Sequence, residues 1–169
     1  GRSNAPRRIE AAVEVTLEEA YSGAARQVTI SSSGSDRRIE VSIPPGVDTG
    51  SVVRIRPGSG QELLLNITVA SHKRFIRKGA DLHTDVAVPL EDAILGGEVE
   101  VKTPKGRVRV KVPPESQNGQ RIRLGGQGMP KLGSKDTRGD LYVVIRPKMP
   151  RRLTGEQREE AVINRDRFA

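Results

Sequence analysis

Apolar and polar positions alternate along much of this chain. Ile9, Ala11, Val13, Val15 and Leu17 alternate with Glu10, Ala12, Glu14 and Thr16, the period of a strand with one apolar face. Residues 17–20 then support a short helical turn closed by Gly23. Val28 and Ile30 mark a second strand, and Ile39, Val41 and Ile43 a third. The polar residues 31–36 between them read as a flexible turn. Pro44-Pro45-Gly46 ends the third strand, because proline cannot donate to a ladder. Val53 and Ile55 predict a short strand, and Leu63, Leu65, Ile67 and Val69 a longer one.

The plan then repeats. Leu17-Glu18-Glu19-Ala20 is answered by Leu90-Glu91-Asp92-Ala93, Ile43-Pro44-Pro45-Gly46 by Val112-Pro113-Pro114-Glu115, and Glu62-Leu63-Leu64-Leu65 by Asp140-Leu141-Tyr142-Val143. The order is the same, and the spacing drifts only by loop-sized insertions. Val86 and Val88 lead into Pro89, whose ring and following acids suit a first helical turn. Val99 and Val101 pair with Val108, Val110 and Val112 across Thr103-Pro104-Lys105-Gly106, a type I turn pattern. Ile122 and Leu124 follow, then Gly125-Gly126-Gln127-Gly128, a polar loop over 131–138, and a last strand at Leu141, Val143 and Ile145. After Pro150, Thr154 and Gln157 form a capping box for a helix to about Arg165. That helix is thin in apolar residues and needs a partner surface.

The expected fold is therefore mostly β: two tandem β-sandwich-like repeats with short helices, plus a C-terminal helix. Residues 1–8 read as a disordered lead-in, 9–77 as the first repeat, 78–152 as the second, and 153–169 as the helical end. Units of roughly 70 residues bury a limited core, so they lean on one another or on a partner. Two copies of one β-rich unit point to a scaffold that binds rather than to one assembled active site.

Composition narrows the chemistry. Of 169 residues, 34% are hydrophobic, and Tyr21, Phe75, Tyr142 and Phe168 are the only aromatics. The cores must be built from Val, Ile and Leu. With no cysteine and only His72 and His83, disulfides and a Cys-ligated zinc are excluded and a catalytic zinc is disfavoured. No cofactor is implied. No apolar run reaches membrane-spanning length, no signal peptide is present, and a cytoplasmic protein is expected. The start, Gly1-Arg2-Ser3-Asn4, lacks a methionine and reads as part of something longer. The net charge of +8 either draws acidic partners, nucleic acid or acidic peptide tails, or serves solubility.

No Ser/His/Asp grouping has supporting context, so no enzyme is expected. Gly125-Gly126-Gln127-Gly128 is not followed by a Lys-Ser pair opening a helix, so it is no P-loop; its expected role is a sharp backbone turn. His72, in a polar loop, is expected to be structural.

Several blocks together resemble the C-terminal domains of DnaJ-type co-chaperones. They are Ile43-Pro44-Pro45-Gly46-Val47, Leu90-Glu91-Asp92-Ala93-Ile94-Leu95-Gly96-Gly97, Asn118-Gly119-Gln120-Arg121-Ile122-Arg123-Leu124, Gly126-Gln127-Gly128-Met129-Pro130 and Arg138-Gly139-Asp140-Leu141-Tyr142. The resemblance runs from about Ile9 to Gln157. The J-domain with its His-Pro-Asp tripeptide is missing, and only residues 31–36 stand where other members insert a zinc module. The chain thus resembles the zinc-free class, to which the curved-DNA-binding members belong.

The resemblance implies a co-chaperone part that holds unfolded client polypeptide in a shallow apolar groove and delivers it to a DnaK-type chaperone, preventing aggregation. The groove lining carries over onto Ala11, Val13, Val28, Ile30 and Phe75. An extended client segment would add to a strand edge while alternate side chains fill the groove; the alternative is that these residues are ordinary core. Arg26 with Arg37 or Arg38 matches the basic residues that hold the acidic C-terminal tail of the partner chaperone, or forms a solvated face. The terminal helix, with Leu153, Ala161 and Val162, matches the family's homodimerisation element. DNA binding through a basic surface is the alternative function; no stacking platform or recognition helix supports it.

Overall fold

A computed structural model describes residues 7–165 except 33 and 59, and residue 167. The chain opens with strand β1 (Arg7–Val15), helix α1 (Leu17–Ser22) and the hairpin β2 (Ala24–Ser32) and β3 (Ser35–Ile43), followed by β4 (Val52–Gly58) and β5 (Gln61–Val69). β1 pairs with β5 in parallel, Val13 opposite Ile67, and β4 pairs with β5 antiparallel. Parallel neighbours need a long crossover, and here α1 and the hairpin supply it. α1 starts at Thr16, whose hydroxyl accepts from the Glu19 N–H while Glu19 reaches back to the Thr16 N–H. It stops at Gly23, whose φ of 80° and closeness to the Pro45 ring exclude a side chain.

The second half opens with β6 (Ile76–Lys78) and β7 (Asp81–Pro89), then α2 (Leu90–Leu95), the hairpin β8 (Gly97–Thr103) and β9 (Gly106–Val112), and β10 (Arg121–Leu124). The short hairpin β11 (Pro130–Lys131) and β12 (Ser134–Arg138) precedes β13 (Leu141–Lys148). β7 pairs in parallel with β13, and β10 antiparallel to β13. This is the β1–β5–β4 arrangement over again. Corresponding backbone bonds tie the turn after each Pro-Pro to the last strand: Gly50 N–H to Ile67 O at 2.9 Å, and Gly119 N–H to Ile145 O at 2.8 Å.

Burial explains why these strands form. Leu63, Leu65 and Ile67 on β5, and Leu141, Val143 and Ile145 on β13, are buried central-strand residues. One apolar cluster contains Leu63 and Leu65 from the first half with Val101, Met129 and Leu141 from the second. The two halves share a core made almost wholly of Val, Ile and Leu, as the composition requires. In the glycine-rich segment Gly126 turns the backbone at a φ of 70° and Gly128 serves close approach. A Cβ at Gly128 would lie 2.5 Å from the Ala80 carbonyl oxygen, and one at Gly139 closer still. Their backbones are locked by Gly128 N–H to Gly139 O and Gly139 N–H to Met129 O, both 2.9 Å.

Two expected loops are ordered instead. Residues 31, 32, 35 and 36 extend the β2–β3 ladder, with Ser31 opposite Asp36 and the Ser31 hydroxyl donating to the Asp36 carboxylate at 2.8 Å. Residues 131–138 form most of the β11–β12 hairpin. Of the expected lead-in, residues 1–6 lie outside the described residues, while Arg7 and Arg8 already pair with Gln61 and Glu62. The last element is α3 (Gly155–Arg165), capped as expected: Gln157 N–H donates to Thr154 Oγ1 at 3.2 Å and Thr154 N–H to Gln157 Oε1 at 2.9 Å. No residue of α3 is buried.

Candidate functional site

The five apolar residues expected to line a groove belong to one cluster but differ in exposure. Ile30 and Phe75 lie inside it, at 4% and 7% exposure. Ala11, Val13 and Val28 pack against its margin, half-buried. Strand geometry produces this arrangement. On β2, Arg26, Val28 and Ile30 share the inward face while Ala25, Gln27 and Thr29 face solvent. On β1, Ala11 and Val13 stand on the inward face opposite Leu65 and Ile67. Among the described residues, β2 pairs only with β3 and β1 only with β5. Each therefore keeps one unpaired edge, which another extended segment can join. Ile30 adds little surface to this patch, because its side chain is core.

Phe75 is placed by the segment between β5 and β6. His72 Nδ1 accepts from the Arg74 and Phe75 N–H groups at 3.0 and 3.2 Å. His72 Nε2 lies 2.7 Å from Glu18 Oε1 on α1, and the His72 and Phe75 rings are 5.1 Å apart. The Glu18 carboxyl is held below the usual range, first by a backbone hydrogen bond and then, against the opposing effect of burial, by His72. Beside Phe75 lies a cavity of about 260 Å³ lined by Leu17, Tyr21 and Pro104 among others. Sequence reasoning missed these three. Tyr21, one of four aromatics, was a usable signal. Pro104 comes from the β8–β9 turn of the other half and gave none. The Arg138 guanidinium lies 4.8 Å over the Tyr21 ring, held there by cation–π attraction.

The basic residues are not equivalent. Arg26 is held by Glu19 in a two-pronged pair, Nε to Oε2 at 2.9 Å and Nη2 to Oε1 at 2.6 Å. Burial pushes the Glu19 carboxyl up, but Arg26 and the Thr16 amide outweigh it and hold it below the usual range. Arg37 and Arg38 are exposed on β3, opposite Ile30 and Thr29. Among the described residues, neither has a carboxylate within 4 Å. At the far end, Leu153 (37% exposed), Val162 (56%) and Ala161 all face solvent, together with Met149 and Ile163.

A model of the DnaJ C terminal domain matches residues 9–150. The chain belongs to the DnaJ C terminal domain family. It is 40% identical over 161 residues to chaperone protein DnaJ 2 of Thermus thermophilus, covering 92% of this chain and 55% of that protein. It is 41% identical over 133 residues to the chaperone protein DnaJ of Bartonella quintana, covering 73% of this chain and 35% of the relative. The DnaJ of Caldicellulosiruptor bescii is 38% identical over 132 residues, with 73% and 34% covered. The chain thus spans about half, or less, of the curated relatives it matches. The family model takes in both halves and every residue of the apolar patch, while α3 lies beyond the residues it matches. Among the described residues, no helix is long and apolar enough to cross a membrane.

Proposed function

We propose that this DnaJ-type domain holds extended, apolar segments of unfolded polypeptide and passes them to a DnaK-type chaperone, without catalysing a reaction. The observation that carries this reading is the unpaired edge of β2 on the same apolar cluster against which half-buried Val28, Ala11 and Val13 pack. A client strand gains main-chain bonds at the edge and places alternate side chains on the patch. Such a site buries little area while the client loses chain entropy, so each site binds weakly. The exposed apolar residues of α3 and its approach, Leu153, Ala161 and Val162, support pairing with a second copy. Two linked sites then gain through effective concentration. Arg37 and Arg38, exposed on the strand that pairs with β2, suit the acidic tail of the partner chaperone, whereas Arg26 is already engaged by Glu19. The alternative of DNA binding has less support. On the outer face of β8 and β9 the two arginines are already paired, Arg107 with Glu100 at 3.1 Å and Arg109 with Glu98 at 3.6 Å, which leaves Lys102 and Lys111 as the exposed cations of that face without a carboxylate within 4 Å among the described residues.

The test is anisotropy of a labelled apolar peptide at about 0.15 M salt, where distant charges are screened. Val28→Asp, at a half-buried marginal position, should abolish binding while leaving the circular dichroism spectrum unchanged. Undiminished binding by Val28→Asp sinks the β2 site. Binding of labelled duplex DNA that falls steeply with salt, with no peptide binding, favours the alternative.

A further inference from the structure

We propose that His72 is a positioning residue: its unprotonated Nδ1 holds the buried Phe75 in the apolar cluster on which the client patch packs, and protonation of His72 releases Phe75 and weakens client binding. The inference rests on the client-binding reading above.

The hydrogen bonds define the tautomer. A ring nitrogen that accepts two N–H groups carries no proton of its own. His72 Nδ1 accepts from Arg74 and Phe75, so its ring proton sits on Nε2 and is donated to Glu18. The side chain is 19% exposed, sheltered but within reach of solvent protons. Among the described residues it is the one side-chain acceptor of these two amides, and its ring lies against Phe75. Protonation places an N–H at Nδ1, facing two N–H donors. Both bonds break, and the segment carrying Phe75 must shift.

Other charges modulate this without replacing the lost acceptor. Glu18 on α1 favours the imidazolium, but it contacts Nε2, which bears a proton in both states. Lys73 and Arg74 on the same segment, and Arg77 on β6, oppose added positive charge. Asp48 lies with Arg77 along the cavity on one side of His72. Asp85 and His83 on β7 line the cavity on the other. Burial and the nearby Lys78 and Arg121 depress the His83 pKa, against the weaker pull of Asp81. His83 therefore titrates on the acid side of an ordinary histidine and serves as the control.

The test uses the intact chain with the labelled apolar peptide at pH 7.5 and 5.5, in parallel with NMR of the ring protons of His72 and Phe75. An asparagine oxygen accepts N–H groups two or three residues ahead and does not titrate. The wild-type chain should lose at least about fivefold in affinity on acidification, as expected for two lost hydrogen bonds. The Phe75 ring signal should move with the same midpoint as the His72 ring. His72→Asn should bind as the wild type does at pH 7.5 and stay flat with pH. His72→Ala should bind weakly at both. His83→Gln should keep the wild-type pH response. A Phe75 signal that stays still while His72 titrates overturns the proposal, as does an undiminished pH response in His72→Asn. If no variant binds peptide at any pH, the client-binding reading fails, and the NMR titration alone then decides whether His72 holds Phe75.

Discussion

Replacing Ile30 by alanine separates a core role from a groove role. The side chain is 4% exposed and packed in the shared cluster. The change removes three carbon atoms. At about 0.8 kcal/mol per buried methylene-sized group, the transfer loss is about 2.4 kcal/mol. A residual cavity adds to this, giving about 3 kcal/mol, inside the range of about 2–5 kcal/mol seen for such truncations. For a chain of this size that lowers the midpoint of thermal unfolding by about 6–12 °C. Urea unfolding followed by circular dichroism should show a lower midpoint at unchanged slope. Ile30→Asp adds the several kcal/mol needed to bury an unpaired carboxylate, which approaches the whole stability of about 5–15 kcal/mol. Loss of peptide binding by Ile30→Asp would therefore report unfolding. A stability loss under about 1 kcal/mol for Ile30→Ala would refute the reasoning and return Ile30 to the surface.

Two further outcomes follow from the packing and the charges. Arg77, with its side chain 11% exposed, donates to Val47 O at 2.7 Å and Gly79 O at 2.8 Å; Arg77→Met leaves those carbonyls without a donor and should cost about 2 kcal/mol in urea unfolding. The Asp140 carboxyl is held below the usual aspartate range, first by the Gly126 N–H and then by Arg123. A depressed folded pKa gives stability that is present above the unfolded value and lost as pH falls through the folded one. Wild type should thus exceed Asp140→Asn at neutral pH, and the gap in unfolding midpoint should close below about pH 4.

The legible parts of this fold were those written as alternation. The strands at Ile9–Val15, Ile39–Ile43 and Leu63–Val69 put valine, isoleucine or leucine on every second position except Ala11, and strands form there. The caps at Gly23, Thr154 and Gln157 were equally legible, because they act on neighbours a few residues away, whereas Thr16, the N-cap of α1, reads in the sequence only as a polar position of the first strand. β6, the outer end of the β2–β3 ladder and the β11–β12 hairpin are short or polar, with no apolar face to reveal them. At the site, Phe75 stood out as a rare aromatic. Its setting did not: Glu18 meets His72 across 54 positions, and Pro104 arrives from the other half. Whether Ile30 faced a groove or a core depended on what covers β2, and alternation alone marks a buried face without saying what buries it.

The central claim is that a client strand adds to the free edge of β2. Amide hydrogen exchange of the chain, with and without a saturating apolar peptide, tests it most directly, because added main-chain bonds slow exchange at the residues that form them. New protection confined to β2, with the neighbouring Phe75 segment, is the result predicted here. Protection that leaves β2 unchanged and appears instead along β8 and β9 or on α3 would contradict it.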